Sequence, residues 1–324
     1  MNTGAGECGS TAGYKQTTLT TIEDKSNTPM THNTETNTLQ HTTTPESAGV
    51  LILGGTPIGN LSDTTDRLKH YLQTADLIAV EDTRTLRRLL SGLGLQTHAK
   101  IITNHDHNET QKTEEIIHAV RSGETVLLLS DAGMPTISDP GYIAAQAVAA
   151  ENLPVSVAPG PSAVLSALAV SGLPSGRFTF EGFLARKGSE RTKRLNSLAT
   201  EERTMIFYES PHRLAKTLQD MSQTFGPDRQ AVICRELTKL HEEILRNSLA
   251  ELTTWAQNTT IRGEIALVVA GAETPETPEP ESLVDQVHTL VDQGMRLKQA
   301  CAHIGKQHGV STKELYNATL ASRN

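Results

Sequence analysis

The chain has 324 residues, a formal net charge of −8 and three cysteines. That length predicts roughly two domains, and the excess of acidic residues argues against a protein that binds nucleic acid over its whole surface. Cys8, Cys234 and Cys301 are too far apart to indicate a disulfide framework or a zinc site, and no apolar run approaches the length of a membrane span. We therefore expect a cytoplasmic protein that holds no metal and contacts no membrane.

Residues 1–47 have an unusual composition. Thr, Asn, Ser and Gly crowd this segment, aliphatic residues are almost absent, and no period is visible. Such a segment cannot bury enough apolar surface to offset the entropy lost on ordering. It also lacks the basic and then apolar order of a signal peptide. We predict a disordered N-terminal tail.

After this tail, short apolar runs alternate with amphipathic stretches. The runs that predict strands are 50–53, 77–80, 101–102, 125–129 and 155–158, and the stretches that predict helices are 63–74, 85–91, 109–121 and 142–151. This alternation is typical of a doubly wound, mostly parallel sheet. The first α/β domain is predicted to cover residues 48–161.

Pro159-Gly160-Pro161 then interrupts the chain, and a second α/β domain is predicted over 162–272. Its expected strands are 179–183, 204–208, 230–234 and 264–269. A Pro/Glu-rich linker follows at 273–282. Residues 283–324 predict a small helical module, which is either helix-turn-helix-like or a simple helical appendage.

Polar loops follow the predicted strands. The longest begins at Ser130 and Asp131, directly after an apolar run, and continues to Gly141. Ligands of open α/β sheets bind at the carboxyl ends of the strands. The loop 54–60 lacks the endings of a Walker loop and of a dinucleotide fingerprint, so its glycines are expected to let a bulky substrate approach the backbone. We expect these loops to converge on one cleft.

Seven of these loop segments, taken in order, resemble a known family. They are 55–61 (GTPIGNL), 81–84 (EDTR), 106–109 (DHNE), 130–135 (SDAGMP), 139–141 (DPG), 159–163 (PGPSA) and 208–213 (YESPHR). The pattern is similar to the ribosomal RNA small subunit methyltransferase I family, which belongs to the tetrapyrrole methylase-like, class III S-adenosylmethionine methyltransferases.

The resemblance implies two α/β domains with S-adenosylmethionine bound between them, usually in a homodimer. The implied reaction is 2′-O-methylation of a cytidine in the decoding centre of 16S rRNA, in the small ribosomal subunit. The residues that it implies for cofactor binding are Asp131, Gly133, Met134, Ile137, Ser162, Ala163, Tyr208, Gly263, Glu264, Ile265 and Ala266.

Methyl transfer from a sulfonium needs no protein nucleophile, and a general base is optional. The residues that remain candidates for such a base are Glu209, His105 and Glu236. Basic residues are concentrated between 177 and 194. The predicted contacts to RNA phosphates are Arg84, Arg88, Arg186, Lys187, Arg191 and Arg194.

Two alternatives stay open. A methyltransferase of the same fold could act on a tetrapyrrole-like small molecule, although the basic stretch and the segments 81–84 and 208–213 favour the rRNA branch. A non-enzymatic regulator could instead bind nucleic acid through the C-terminal helices. The acidic residues of the neighbouring linker disfavour that reading.

Overall fold

The computed structural model describes residues 49–104, 109–273 and 278–322. The predicted tail over 1–47, His105, most of the segment 106–109 and residues 274–277 of the predicted linker therefore lie outside the described residues.

The first sheet contains five parallel strands. They are β1 (Val50–Gly54), β2 (Leu77–Val80), β3 (Lys100–Thr103), β4 (Thr125–Leu129) and β5 (Val155–Ala158). The order across the sheet is β3-β2-β4-β1-β5, and every neighbouring pair runs in parallel. The predicted parallel sheet is confirmed.

Helices cover both faces of this sheet. The helices α1 (Asp66–Thr74) and α2 (Thr83–Leu93) pack on one face, and α3 (Glu109–Arg121) and α4 (Tyr142–Ala150) pack on the other. Neighbouring strand residues alternate between the two layers: Ile52 and Leu127 join the first, whereas Leu51 and Leu128 join the second. Because both faces are covered, the three inner strands β1, β2 and β4 carry uninterrupted apolar runs, and polar residues begin only at their ends.

The second sheet is mixed. Its strands are β6 (Phe178–Phe183), β7 (Thr204–Glu209), β8 (Gln230–Arg235), β9 (Glu243–Ser248) and β10 (Ile265–Val269), in the order β6-β7-β10-β8-β9. The pair β6–β7 is parallel, and the pairs β7–β10, β10–β8 and β8–β9 are antiparallel. The edge strand β9 has no counterpart among the predicted strands.

Helices also cover both faces of the second sheet. One face carries α6 (Ser189–Leu198), α7 (Pro211–Phe225) and α8 (Leu249–Asn258). The other face carries α5 (Ala163–Ser171), which packs on Ile206 and Val232. Ile58, from the loop after β1, joins this second cluster. The first α/β half thus contributes a side chain to the core of the second.

The C-terminal segment forms a helical unit with its own core. It contains α9 (Val284–Asp292), α10 (Leu297–His308) and α11 (Thr312–Ala321), which bury Val287, Cys301 and Leu315 among them. Gly309 ends α10 in the left-handed conformation, and the Ser311 side chain accepts a hydrogen bond from the Glu314 amide at the start of α11. None of the helices within the described ranges has the length and apolar character needed to cross a bilayer.

Candidate functional site

The loops after β1 and β4 are joined by a short backbone bridge. The amide of Thr56 donates to the carbonyl of Gly133 at 2.9 Å, and the amide of Gly133 donates back at 3.1 Å. The buried Thr56 hydroxyl lies 3.3 Å from the carbonyl oxygens of Ser130 and Gly133. The two loops therefore form one structural unit at the carboxyl edge of the first sheet.

Two glycines bring a third loop against this unit. A Cβ atom added to Gly160 would lie 2.4 Å from the Gly55 carbonyl oxygen, and one added to Gly55 would lie 2.7 Å from the Gly160 Cα and amide nitrogen. Contacts this short are not tolerated between real side chains and backbone. At Gly55 the missing side chain thus admits the protein's own backbone, which corrects the expectation that it admits a substrate.

A cavity of about 360 Å³, here called the junction cavity, lies between the loops of the two halves. This volume is within the range of roughly 300–1,000 Å³ that ligand pockets occupy. Ten of the eleven predicted cofactor residues line it: Gly133, Met134, Ile137, Ser162, Ala163, Tyr208, Gly263, Glu264, Ile265 and Ala266. The loops of both halves are thus brought together as the motifs predicted.

Asp131 is the exception and requires a correction. It lines a smaller neighbouring cavity of about 250 Å³, here called the side cavity, together with Asp82, Thr85 and Arg88. Partial burial raises the pKa of Asp131, and the Asp82 carboxylate adds to this rise. The bridged segments 56–59 and 130–133 form the wall between the two cavities, so neighbouring residues of one loop face different spaces.

Several lining residues were not predicted from the sequence. They are Ile58, Ala132, Ser138, Asp139, Phe183, Ser210, Pro211, Cys234 and Leu237. Five of them, Ile58, Ala132, Asp139, Ser210 and Pro211, belong to the segments that carry the family resemblance, so extending the prediction along those segments finds them. The apolar residues Phe183 and Leu237 carry no signal that separates them from core residues.

Backbone strain is concentrated on two walls of the junction cavity. Thr136 and Ser138 have φ angles of 75° and 66°, and Glu236 and Thr238, at the opposite wall, have 52° and 66°. A positive φ at a residue other than glycine costs on the order of 1–3 kcal/mol and is typical of ligand sites. Both halves thus hold strained loops where the cavity forms.

The charges around the cavity favour a cationic ligand. Burial, together with the negative charges of Asp139 and Glu264, raises the pKa of Tyr208 to about 12. The Tyr208 ring packs against Phe180 and Phe183, with centroids 5.0 and 5.6 Å apart. An aromatic wall beside carboxylates stabilises positive charge.

The thiol of Cys234 also lines this cavity. Burial raises its pKa to about 12, so the group is a neutral thiol near pH 7. Cys234 therefore acts here as a small apolar residue rather than as a nucleophile.

Two of the three candidate bases are held by other groups, and the third, His105, lies outside the described residues. Glu209 is buried, and its carboxylate accepts hydrogen bonds from the Ser210 amide at 2.8 Å and from Thr217 Oγ1 at 2.5 Å. Arg213 Nε forms an ion pair with the same carboxylate, 3.1 Å from Oε1. Glu236 accepts from Lys239 Nζ at 2.8 Å, and this hydrogen bond lowers its pKa. Neither environment is that of a group poised to take a proton.

The predicted RNA contacts divide by exposure. Arg191 is only 7% exposed and donates to Asp220, Thr217 and the Ala185 carbonyl, so its prediction as a phosphate contact is wrong. Arg84 pairs with Asp82 at 2.6 Å, and Arg194 pairs with Glu181. The exposed positions are Arg84, Arg88, Arg186, Lys187 and Arg194.

No group of three or more His, Cys, Asp or Glu side chains within the described ranges is arranged to hold a metal ion.

Comparison with known proteins agrees with this architecture. The family model described as Tetrapyrrole (Corrin/Porphyrin) Methylases matches residues 50–253. The Ribosomal RNA small subunit methyltransferase I of Mycobacterium tuberculosis H37Rv is 47% identical, over 86% of this chain and 96% of that protein. The proteins of the same name from Synechocystis and Escherichia coli O157:H7 are 41% and 40% identical, over 84% and 87% of this chain and 98% of each relative.

The chain belongs to the ribosomal RNA small subunit methyltransferase I family. Among solved structures, the methyltransferase CobJ superimposes with a TM-score of 0.51 at 22% identity, over 72% of this chain and 98% of that one. Diphthine synthase gives 0.51 at 14% identity, over 68% and 89%. At these identities the likeness shows the fold alone.

The protein is thus an S-adenosylmethionine-dependent methyltransferase of the tetrapyrrole methylase class. The junction cavity fits this cofactor in size and in chemistry. Apolar side chains provide surface for an adenosyl group, and the carboxylates of Asp139 and Glu264 suit a sulfonium and an ammonium.

Proposed function

We propose that this methyltransferase modifies the 2′-oxygen of a cytidine in the decoding centre of 16S rRNA, within the small ribosomal subunit in the cytoplasm. The observation that carries the proposal is the position of exposed basic residues beside the junction cavity. Phe183 lines the cavity and is 57% exposed, and Arg186 and Lys187 follow it in an exposed loop. Exposed positive charges in this position can contact the phosphates of a folded RNA.

When bound, S-adenosylmethionine supplies an electrophilic methyl group on a positively charged sulfur. In our proposal, the ten predicted residues that line the junction cavity hold it. Gly133 and Gly263, with φ angles of 83° and 87°, let their backbones border the cavity closely. Asp139 and Glu264 favour the positive charge, and Ile58, Leu237 and Ile265 exclude water from the reacting oxygen.

The basic residues orient the substrate in this proposal. Arg186, Lys187 and Arg194 contact phosphates from the second half, and Arg84 and Arg88 do so from α2 in the first half. Such contacts fix the register of the RNA without reading its sequence. Holding the ribose oxygen in line with the donor supplies most of what this reaction needs from the protein. We assign no general base, because Glu209 and Glu236 are both held by basic partners.

We also propose a homodimer, which forms through the edge of the first sheet. Val155 and Val157 alternate along the edge strand β5 and are 37% and 40% exposed. Tyr142 and Ile143, on the adjacent helix α4, are 61% and 39% exposed. Exposed apolar edges of this kind are typical of association surfaces.

The test supplies labelled S-adenosylmethionine to small ribosomal subunits from a strain that lacks this enzyme. Free 16S rRNA and a porphyrin precursor are run in parallel. We expect label in the rRNA of assembled subunits, at a cytidine whose 3′ linkage has become resistant to alkali because its 2′-oxygen is methylated. Label in the porphyrin alone would instead support the tetrapyrrole-like substrate.

A further inference from the structure

A buried network of charged side chains lies beneath the basic loop, which we define as residues 184–188. Arg213 Nη2 donates to the Leu184 carbonyl oxygen at 2.6 Å. Arg191 Nη1 donates to the Ala185 carbonyl oxygen at 3.3 Å. Two consecutive carbonyls of the basic loop are therefore anchored from below, and the next two residues are the exposed Arg186 and Lys187.

Both anchors lead back to the carboxylate of Glu209. Its Oε1 forms an ion pair with Arg213 Nε at 3.1 Å, and its Oε2 accepts a hydrogen bond from Thr217 Oγ1 at 2.5 Å. Thr217 Oγ1 in turn accepts from Arg191 Nη2 at 3.0 Å. The Glu209 carboxylate is thus connected to the backbone of the basic loop by two routes, here called arms. The Arg213 arm ends on the Leu184 carbonyl, and the Arg191 arm passes through Thr217 and ends on the Ala185 carbonyl.

The centre of the network is buried, and its edge is partly exposed. Glu209, Thr217 and Arg191 are 3%, 1% and 7% exposed, whereas Arg213 and Asp220 are intermediate in burial. Asp220 Oδ2 lies 3.0 Å from Arg191 Nε, and its Oδ1 pairs with Lys216 Nζ at 2.8 Å. Removing charges from water is costly, so a buried ion pair stabilises a fold little more than apolar residues would. What such a network provides is a fixed geometry.

The network lies between the junction cavity and the basic loop. Glu209 ends β7 and lines the junction cavity, and Phe183, which immediately precedes the basic loop, lines the same cavity. The network therefore connects the cavity wall to the segment that carries the exposed positive charges.

We propose that Glu209 is a positioning residue, which acts through Arg213 and Arg191 to hold the basic loop beside the junction cavity so that Arg186 and Lys187 meet the RNA. This inference rests on the proposed rRNA substrate. It takes the place of the general-base role for which Glu209 was one candidate, because its carboxylate oxygens already accept hydrogen bonds from Ser210 and Thr217 and pair with Arg213.

The first variant is Arg213→Gln, which removes the anchor on Leu184. We expect the KM for small ribosomal subunits to rise by about tenfold or more, since small displacements of positioning groups have large effects. The kcat at saturation and the affinity for S-adenosylhomocysteine should change less than about twofold. The control is Arg203→Gln, because Arg203 forms a comparable pair with Glu201 at 2.7 Å but lines neither cavity.

A double-mutant cycle separates positioning from a loss of general stability. Arg213→Gln is also introduced into a double variant that already carries Arg186→Ala and Lys187→Ala. There it should raise the KM little further, because the positive charges that Arg213 is proposed to position have been removed. Independent, multiplicative effects would overturn the proposal. So would a Glu209→Gln variant that loses kcat together with one limb of its pH profile, since that result identifies a general base.

Amide hydrogen exchange tests the same idea without any substrate. Arg213→Gln should accelerate exchange in residues 185–188 and leave the first sheet unchanged. If this variant does not fold, Thr217→Val interrupts the Arg191 arm alone and is measured in the same way. Unaltered exchange in the loop contradicts the positioning role. A wild-type enzyme that fails to methylate the subunits contradicts the proposed function instead.

Discussion

The close approach of Gly55 and Gly160 makes the strongest prediction about the site. The change Gly160→Ala places a Cβ atom 2.4 Å from the Gly55 carbonyl oxygen and 2.8 Å from its carbonyl carbon. Ordinary van der Waals contact begins near 3.4 Å, so one of the two loops must move by about 1 Å. This movement is costly, because the added Cβ meets backbone atoms of Gly55 rather than the end of a flexible side chain.

The expected cost follows from that displacement. Overpacking of this kind destabilises a fold by about 1–3 kcal/mol, and each kcal/mol lowers Tm by about 2–4 °C in domains of 150–250 residues. Gly160 lies two residues before Ser162, which lines the junction cavity. A 1 Å error in such a loop is expected to reduce kcat/KM by about a hundredfold.

Thermal unfolding measures the loss of stability and steady-state kinetics measure kcat/KM, while calorimetry with S-adenosylhomocysteine measures the effect on the cavity itself. The matched control is Gly176→Ala, because an added Cβ at Gly176 meets no atom within 4 Å. We expect weaker binding and a lower Tm for Gly160→Ala, with wild-type values for the control. Equal binding and equal Tm for the two variants would show that this backbone contact does not shape the cavity.

Three further outcomes are expected. Burial raises the pKa of Cys234 to about 12, so the stability that its neutral thiol contributes is complete below pH 9 and is lost as the pH rises towards 12. Urea unfolding should show a loss of about 1 kcal/mol by pH 10, and Cys234→Ala should lack this component. Val157→Lys should shift the protein from dimer to monomer in sedimentation velocity. Leu320→Lys, at an equally exposed apolar position in α11, should leave the dimer intact. Dimers in both variants would exclude the β5 edge as the dimer interface. Replacing Arg186 and Lys187 by Ala should reduce the slope of log affinity for small ribosomal subunits against log salt by about 1.5, and an unchanged slope would mean that neither residue meets a phosphate.

The three inner strands of the first sheet were predictable because they are buried on both faces. Runs such as Leu127–Leu129 contain only aliphatic residues and stop abruptly at polar ones, so both the strand and its carboxyl end are visible in the sequence. The edge strand β9 of the second sheet is different. Four of its six residues, EILRNS, are polar, and all are intermediate or exposed in burial, so only pairing with β8 identifies them as a strand.

The candidate site was predictable as a set of loops but not atom by atom. The carboxyl ends of β4 and β7 bring Gly133 and Tyr208 to one cavity, as the general rule for α/β sheets requires. Glu264 reaches the same cavity from the amino end of β10, because β10 runs antiparallel to β7. The rule does not state which side of a loop a residue faces, so it did not predict that Asp131 lines the side cavity instead. The charge pattern likewise did not separate the buried Arg191 from the exposed Arg194, because burial depends on partners such as Asp220 that lie far along the chain.

The central claim is that the methyl donor occupies the junction cavity rather than the side cavity. Ultraviolet cross-linking of labelled S-adenosylmethionine, followed by peptide mapping, tests it directly. We expect label on residues 132–139, 208–211 or 263–266, and competition by S-adenosylhomocysteine. Label confined to the α2 segment around Asp82 and Arg88 would contradict the account.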